Sequence, residues 1–140
     1  MMTVSEFSMQ GGVPSHVIRF YSRIGLLNPA RDPDNGYKLF SRSDISRLHF
    51  IRQAQSLGYT LDEIGEILAT CSHGQSPCAR VRQILRQRIK ENRGKLDELM
   101  TLQKRMEHAL ASWERMPDHK PQGESRCHLI ESTEVTPMNA

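Results

Sequence analysis

The sequence contains no uninterrupted apolar run of the roughly 20 residues that a membrane-spanning helix requires. Its first residues also lack a basic segment followed by an apolar stretch, which is the pattern of a secretory signal peptide. We therefore expect a cytoplasmic protein with no membrane partner. There are three cysteines, and in a reducing compartment free thiols or metal ligands are favoured over disulfides.

The chain also has few residues that can form a hydrophobic core: hydrophobic residues make up 37% of it and charged residues 25%. A chain of 140 residues is long enough for one domain, or for a small domain plus an extended helix. The modest hydrophobic content favours the second arrangement, in which an elongated molecule completes its burial by dimerising.

Catalytic motifs are absent as well. The sequence shows no nucleophile paired with a base, no phosphate-binding loop and no paired carboxylates in a catalytic arrangement. These absences argue against an enzyme.

A local surplus of positive charge lies in the N-terminal half, although the net charge is only +3. Between Val13 and Arg52 there are seven basic residues against three acidic ones. The basic residues are Arg19, Arg23, Arg31, Lys38, Arg42, Arg47 and Arg52. On charge alone, a phosphate-facing surface and an ordinary solvated surface are about equally good interpretations.

The first 25 residues predict a helix-turn-helix. Thr3 with Glu6 forms a capping-box pattern for a helix over residues 3–9, which Gly11-Gly12 interrupts. Pro14 suits the first turn of a second helix, which we expect over residues 14–24. Val13, Val17, Ile18 and Phe20 are candidates for its inward side.

The following segment predicts a small β-hairpin, or wing, and two further helices. The turn signal Asp34-Asn35-Gly36 precedes the strand-like residues 37–40, and residues 27–31 are the candidate second arm. Ser41 with Asp44, and Thr60 with Glu63, are capping-box patterns at the starts of the two helices. Ile45, Leu48, Phe50, Ile51 and Ala54 give the first of these helices an apolar side.

A long helix is predicted from about Ser76 to Arg115, ending before Pro117. Apolar residues at spacings of three, four or seven, with Asn92 among them, form a heptad seam along it: Leu85, Asn92, Leu96, Leu99, Met106, Leu110 and Trp113. A second copy of the chain is the favoured partner, in an antiparallel coiled coil, although packing back onto its own domain is also possible. We therefore expect a DNA-binding domain over residues 1–70, a linker over 71–77, a dimerisation helix over 78–116, and a C-terminal loop with a flexible tail over 117–140.

Several motifs make the chain resemble the MerR family of transcription regulators. Val17-Ile18-Arg19-Phe20-Tyr21 corresponds to the recognition-helix signature of that family, and Gly25-Leu26-Leu27 follows in register. Residues 35–40 match the wing, while residues 44–52 and 58–64 match the two helices after it. The resemblance implies a mostly α fold: a winged helix-turn-helix domain, a long antiparallel coiled-coil dimerisation helix and a short effector loop.

The resemblance also implies that α-helical and wing residues contact double-stranded promoter DNA. Exposed donors at helical spacing suit base edges and phosphates, and the family places an aromatic residue against the sugar-phosphate backbone. The candidate DNA-binding residues are Ser15, His16, Arg19, Tyr21, Arg23, Tyr37, Lys38 and Arg42.

The cysteines point to the divalent-metal-responsive branch of the family. Cys78 begins the long helix, where the resemblance implies a ligand contributed by the partner subunit, and Cys127 lies in a segment similar to the family's metal loop. The loop's usual first cysteine is missing, and His119, eight residues before Cys127, is its candidate replacement. Thiolate and imidazole suit one soft divalent ion per site, such as Zn(II), Cd(II), Pb(II) or Hg(II). Cys71 and His73 could add ligands.

By resemblance, the homodimer would bind the promoter spacer and, when the metal binds, distort it until RNA polymerase engages both promoter elements. Two alternatives remain open in the same fold. One is a regulator switched when an oxidant or electrophile modifies a cysteine. The other is a constitutive architectural protein without a ligand.

Overall fold

The computed structural model describes residues 1–135, 137 and 138. Within them the chain is mostly helical and divides into two compact units, Met1–Leu85 and Arg86–Ala140. Thr136, Asn139 and Ala140, which belong to the expected flexible tail, lie outside the described residues. No helix in the described part of the chain is both long enough and apolar enough to cross a membrane.

The first unit begins with two short helices joined by a glycine turn. Helix α1 spans Val4–Gly11 and helix α2 spans Ser15–Arg23, and Thr3 and Glu6 form the predicted capping box. Gly12 adopts a left-handed conformation with φ of 65°, which is open to glycine at little steric cost. The chain therefore reverses direction sharply and places α2 across α1 as the second helix of a helix-turn-helix.

A two-stranded antiparallel sheet follows, as the wing interpretation predicted. Strand β1 is Ala30–Arg31 and strand β2 is Lys38–Leu39, and Arg31 pairs with Lys38. The turn closes through hydrogen bonds from Asp32 N–H to the Tyr37 carbonyl and from Gly36 N–H to the Asp32 carbonyl, both 2.8 Å long. The strands are shorter than the sequence suggested, and Phe40, expected in the second strand, forms an antiparallel bridge with Met2 instead.

Helices α3, Arg42–Ser56, and α4, Leu61–Ser72, complete the scaffold. Asp44 accepts a hydrogen bond of 2.8 Å from the Ser41 N–H, and Glu63 accepts one of 2.8 Å from the Thr60 N–H, so both capping predictions are confirmed. Helix α4 continues through Ser72, and the connection to the next helix is therefore shorter than the predicted linker.

The core of the first unit draws residues from all of these elements. Phe7 and Phe40 stack with ring centroids 4.3 Å apart, and both are fully buried. The other fully buried large side chains are Ile18, Leu27, Leu48, Ile51 and Ile64. Phe50, expected on the apolar side of α3, is 36% exposed because the buried stripe of that helix runs through Leu48, Ile51 and Ala54 instead.

Helix α5 spans Cys78–Trp113, slightly less than the sequence suggested. Its first turns belong to the first unit: Ile84 is buried in the core, and Val81 and Leu85 pack against it. Arg80 forms an ion pair of 2.8 Å with Glu66 of α4. These contacts fix the start of α5 to the core of the first unit.

The second unit contains the remainder of α5 and a C-terminal segment that is not entirely loop. A short helix α6, His128–Glu131, follows Cys127. The Trp113 indole N–H donates a hydrogen bond of 3.4 Å to Ser132 Oγ. Trp113, expected in the heptad seam, therefore contacts the segment after α6.

Candidate DNA interface and effector loop

Helix α2 has one buried side and one exposed side. Ile18 and Tyr21 face the core, whereas His16, Arg19 and Arg23 are exposed. Ser15, at the first position of the helix, is half-buried. The helix thus presents donors at helical spacing on the side away from the core, as reading of a DNA groove requires.

Phe20 does not face inward as its apolar character suggested. Its side chain is 37% exposed, and the Arg23 guanidinium carbon lies 5.4 Å from its ring centroid. At that distance the cation is attracted to the ring face. The core beneath α2 is filled by Ile18 and Tyr21, which leaves Phe20 to support Arg23 at the surface.

Tyr21 lies in the core rather than on the exposed side of α2. It is 6% exposed, and its hydroxyl donates a hydrogen bond of 2.8 Å to Gln55 Oε1 of α3. The structure therefore assigns the ring a packing role. A contact with the DNA backbone would have to use the acceptor capacity of the hydroxyl, and it stays a prediction.

The wing and α2 enclose a cationic depression of about 540 Å³. Arg19 and Arg23 of α2 line one side, and Arg31 and Lys38 of the wing line the other. Within residues 1–135 the structure records no ion pair with a carboxylate for these four cations. Their charge is therefore available to a phosphate.

Arg31 was counted in the basic surplus but was not among the candidate DNA contacts. Its Nη1 donates a hydrogen bond of 3.0 Å to the Gly36 carbonyl, which holds the side chain along the hairpin. The sequence signal that could have found it is the hairpin register, since residues opposite each other on paired strands project to the same face. Lys38, its partner in that register, was already a candidate.

The other wing and helix candidates lie nearby. Tyr37 is 68% exposed and lines a neighbouring depression with Arg19, Lys38 and the first residues of α1. Arg42 is exposed at the start of α3. Arg19 and Lys38 border both depressions, which makes them central to this surface.

Two members of the basic cluster have structural partners instead. Arg47 Nε donates a hydrogen bond of 2.6 Å to the Leu26 carbonyl, and Arg52 Nη1 donates one of 3.4 Å to the Gly11 carbonyl. Both bonds hold α3 against the helix-turn-helix. The charge count from the sequence therefore combined candidate DNA-binding cations with structural ones.

The three cysteines are free thiols in different surroundings. Cys71 and Cys78 are exposed, whereas Cys127 is half-buried at the N-cap of α6. His119 and His128 stack with ring centroids 4.0 Å apart and an interplanar angle of 25°. The effector loop, as we call residues 117–131, thus brings two imidazoles together, and one of them, His128, directly follows Cys127 in the chain.

A carboxylate orders the same loop. Glu131 accepts hydrogen bonds from Ser125 Oγ, 2.6 Å away, and from the Arg126 N–H, 3.1 Å away. The Ser125 hydroxyl, followed by the Arg126 N–H, lowers the pKa of the Glu131 carboxyl because both donors favour its charged form. The charged Glu131 carboxylate therefore accepts both hydrogen bonds and joins α6 to residues 125 and 126, just before Cys127.

The proposed ligands, Cys78, His119 and Cys127, are divided between the two compact units. The described residues contain no group of three or more His, Cys, Asp or Glu side chains placed to hold a metal ion. Cys78 belongs to the first compact unit, while His119 and Cys127 belong to the second.

Two family profiles match the chain. The profile described as "MerR HTH family regulatory protein" covers residues 2–71, and the profile described as "MerR, DNA binding" covers residues 45–109. The chain belongs to the MerR family. MerR proteins are transcription regulators, and the chain is accordingly a helix-turn-helix regulator rather than an enzyme.

A regulatory protein of a mercuric resistance operon is among the proteins similar to this chain. The mercuric resistance operon regulatory protein of Bacillus cereus is 32% identical over 92% of this chain and 94% of its own length. The regulator HmrR of Rhizobium leguminosarum bv. viciae is 34% identical over 76% of this chain and 82% of its own length.

A solved MerR structure shares the fold. The transcription regulator PbrR691 from Ralstonia metallidurans CH34, in complex with lead(II), superposes with a TM-score of 0.75 and 27% sequence identity. The match covers 94% of this chain and 98% of that one. The predicted fold class is confirmed by this likeness.

Proposed function

We propose that this MerR-family protein is a metal-responsive transcription activator that binds promoter DNA as a homodimer in the cytoplasm. The observation that carries the proposal is the presence, on one chain, of a cationic α2–wing surface and an ordered loop bearing a half-buried thiol and two imidazoles. The first suits DNA, and the second suits a soft metal ion.

The DNA-binding half rests on charge and exposure. Arg19, Arg23 and Lys38 face one depression, and Tyr37 and Arg42 are exposed beside it. Phosphate contacts would set the register of the protein, while α2 lies in the major groove with His16 and Arg19 near the base edges. Ser15, at the helix start, would donate to the backbone.

The proposal of a dimer depends on an apolar stripe of α5 that the described residues leave largely exposed. Leu96 and Leu99 are each 60% exposed, Met106 is 57% exposed and Leu110 is 55% exposed. A lone helix with such a stripe leaves apolar area in water that a second helix would bury. A second copy of α5, antiparallel to the first, is the occupant we propose.

The sensing half rests on donor chemistry. Two thiolates, from Cys127 and from Cys78 of the other subunit, with the His119 imidazole would form a site of no net charge around a divalent ion. Such donors favour Hg(II), Cd(II), Pb(II) or Zn(II) over Mg(II) or Mn(II). Similarity to regulators of mercury resistance and to a lead-bound structure supports this assignment.

Activation would use the deformability of DNA. Metal binding would shift the dimer between two arrangements, and the bound promoter spacer would bend and untwist until RNA polymerase contacts both promoter elements. The start of α5 is held against the rest of the first unit by contacts that include the Arg80–Glu66 ion pair. Through these contacts, a movement of α5 would be transmitted to the DNA-binding elements.

The test combines metal titration of the reduced dimer with a promoter-reporter assay. Cys127→Ser should abolish both high-affinity Cd(II) or Pb(II) binding and the transcriptional response. Cys71→Ser, which changes an exposed thiol outside the proposed ligand set, is the matched control and should leave both unchanged. A full metal response from Cys127→Ser would place the site elsewhere.

The exposure of Cys71 and Cys78 supports a second candidate function, a regulator switched by cysteine modification, because accessible thiols can be oxidised or alkylated. In that case the reduced dimer would bind no soft metal. Aldehydes or oxidants would instead modify a thiol and switch transcription, and mass spectrometry would identify which one.

A further inference from the structure

The stacked histidines of the effector loop show an asymmetry that bears on metal binding. His128 Nε2 lies 2.8 Å from the Pro117 carbonyl oxygen. Its ring stacks on that of His119, with the centroids 4.0 Å apart. His128 is therefore held both at one ring nitrogen and on one ring face.

The contact with Pro117 fixes the proton of His128. A carbonyl oxygen can only accept a hydrogen bond, so the nitrogen facing it must carry the hydrogen. In the neutral imidazole the other nitrogen, Nδ1, then has its lone pair free. A ring N–H donated to a backbone carbonyl is the usual support of a histidine that ligates a metal through its second nitrogen.

We propose that His128 binds the sensed metal ion through Nδ1, alongside Cys127, so that two adjacent residues supply a thiolate and an imidazole. This inference rests on the proposed metal-sensing function and specifies its ligands. The sequence favoured His119 as the imidazole ligand. The structure gives His128 the ordered tautomer, while His119 packs on its ring and restricts its rotation.

The charge around the pair sets a condition on binding. Lys120 and Arg126 line the same cleft, of about 340 Å³, as His119 and His128. Two imidazoles alone would attract a divalent ion weakly beside these cations. The thiolates supply the negative charge that retains it, so His128 should matter only while Cys127 is present.

The decisive measurement is NMR of the full-length dimer with isotope-labelled histidine and an NMR-active cadmium isotope. We expect scalar coupling between the bound cadmium and Nδ1 of His128, and retention of the proton on Nε2. A purely structural role for His128 would give no such coupling. Loss of the Nε2 proton on metal binding would also contradict the proposal.

Affinity provides the second measurement. His128→Ala should weaken Cd(II) binding by at least about 10-fold, the scale on which even supporting residues act. His49→Ala, which removes an exposed imidazole from α3, is the matched control and should bind Cd(II) like the parent. His128 is a partly exposed residue of a short helix, and circular dichroism of the variant should show the parent fold.

The outcomes separate this inference from the proposed function. Cd(II) binding that needs Cys127 but is the same in His128→Ala overturns the inference alone. Absence of binding of Cd(II), Pb(II), Hg(II) and Zn(II) to the reduced parent overturns both. If inorganic phosphate shifts the His119 and His128 resonances while cadmium does not, the cleft binds anions through Lys120 and Arg126, and the inference is wrong.

Discussion

The Tyr59 hydroxyl donates a hydrogen bond of 2.8 Å to the Val81 carbonyl and so ties the turn before α4 to the start of α5. Tyr59 is 7% exposed, and Ile84, one turn further along α5, is buried in the same core. The first turns of the helix that we assign to dimerisation are thus part of the DNA-binding unit. Any movement of the start of α5 must be accommodated by this bond or break it.

Tyr59→Phe should lower the free energy of unfolding by about 1 kcal/mol, because a partly buried hydrogen bond is lost while the ring stays packed. Urea denaturation at a fixed protein concentration measures the change. Tyr37→Phe removes an exposed hydroxyl and should leave the free energy of unfolding within error of the parent. Equal free energies of unfolding for the two variants would show that the Tyr59 hydroxyl does not help to hold the start of α5 in place.

Arg19→Ala should weaken operator binding by about 1–3 kcal/mol, the usual scale for a lost base-edge or phosphate contact. Arg19 borders both depressions of the α2–wing surface, and its side chain is exposed, so the fold should be unaffected. Fluorescence anisotropy at moderate salt gives the affinity, and circular dichroism reports the fold. Arg82→Ala, an equal charge loss at an exposed position of α5, is the control. An intact Arg19→Ala protein with parental affinity would disprove the assignment of α2 as the reading helix.

Arg31→Ala should weaken binding to operator and unrelated DNA alike, and should reduce the slope of log affinity against log salt by about 1. The reason is that Arg31 lies on the wing beside Lys38, in a position for phosphate rather than base contact. Arg31→Lys keeps the charge and should retain most of the salt dependence. A loss restricted to the operator sequence would show that Arg31 contacts bases instead.

The parts of the fold that were predictable from sequence depend on local interactions. The Thr3–Glu6, Ser41–Asp44 and Thr60–Glu63 caps connect residues three apart, so their chemistry is visible in the sequence. The hairpin was recognisable because Gly36 supplies a positive φ of 73° at its turn. Neither feature requires knowledge of the rest of the fold.

Other features depend on distant partners and could not be derived in this way. Phe20 and Tyr21 are adjacent aromatic residues, and the packing of α2 on the core, with the bond from the Tyr21 hydroxyl to Gln55 of α3, distinguishes the buried one from the exposed one. Arg47 was counted in the basic surplus, and only its bond to the Leu26 carbonyl, 21 residues away, identifies it as a structural cation. In the effector loop, the Pro117–His128 contact joins residues 11 apart, and no regular secondary structure between them makes the contact predictable from the sequence.

Leu96→Glu should dissociate the dimer and abolish operator binding together, because a charge would replace an apolar side chain in the seam of α5. Sedimentation velocity at micromolar concentration measures the oligomeric state, and anisotropy measures DNA binding. Thr101→Glu adds the same charge on the opposite side of the helix and should remain dimeric. A parent protein that sediments as a monomer would contradict the proposed dimer outright.

Subunit complementation tests whether the two proposed thiolates of one site come from different chains. Homodimers of Cys78→Ser and of Cys127→Ser should each lack one thiolate at every site and bind soft metals poorly. In a heterodimer of the two variants, ligation across the subunits restores both thiolates at one site and removes both from the other. Differentially tagged, co-expressed chains allow the heterodimer to be purified and titrated with Cd(II) under reducing conditions. We expect one tight site per heterodimer, with the parental affinity, against two in the parent dimer. If both thiolates of a site came from the same chain, every site in the heterodimer would still lack one, and no tight binding would return.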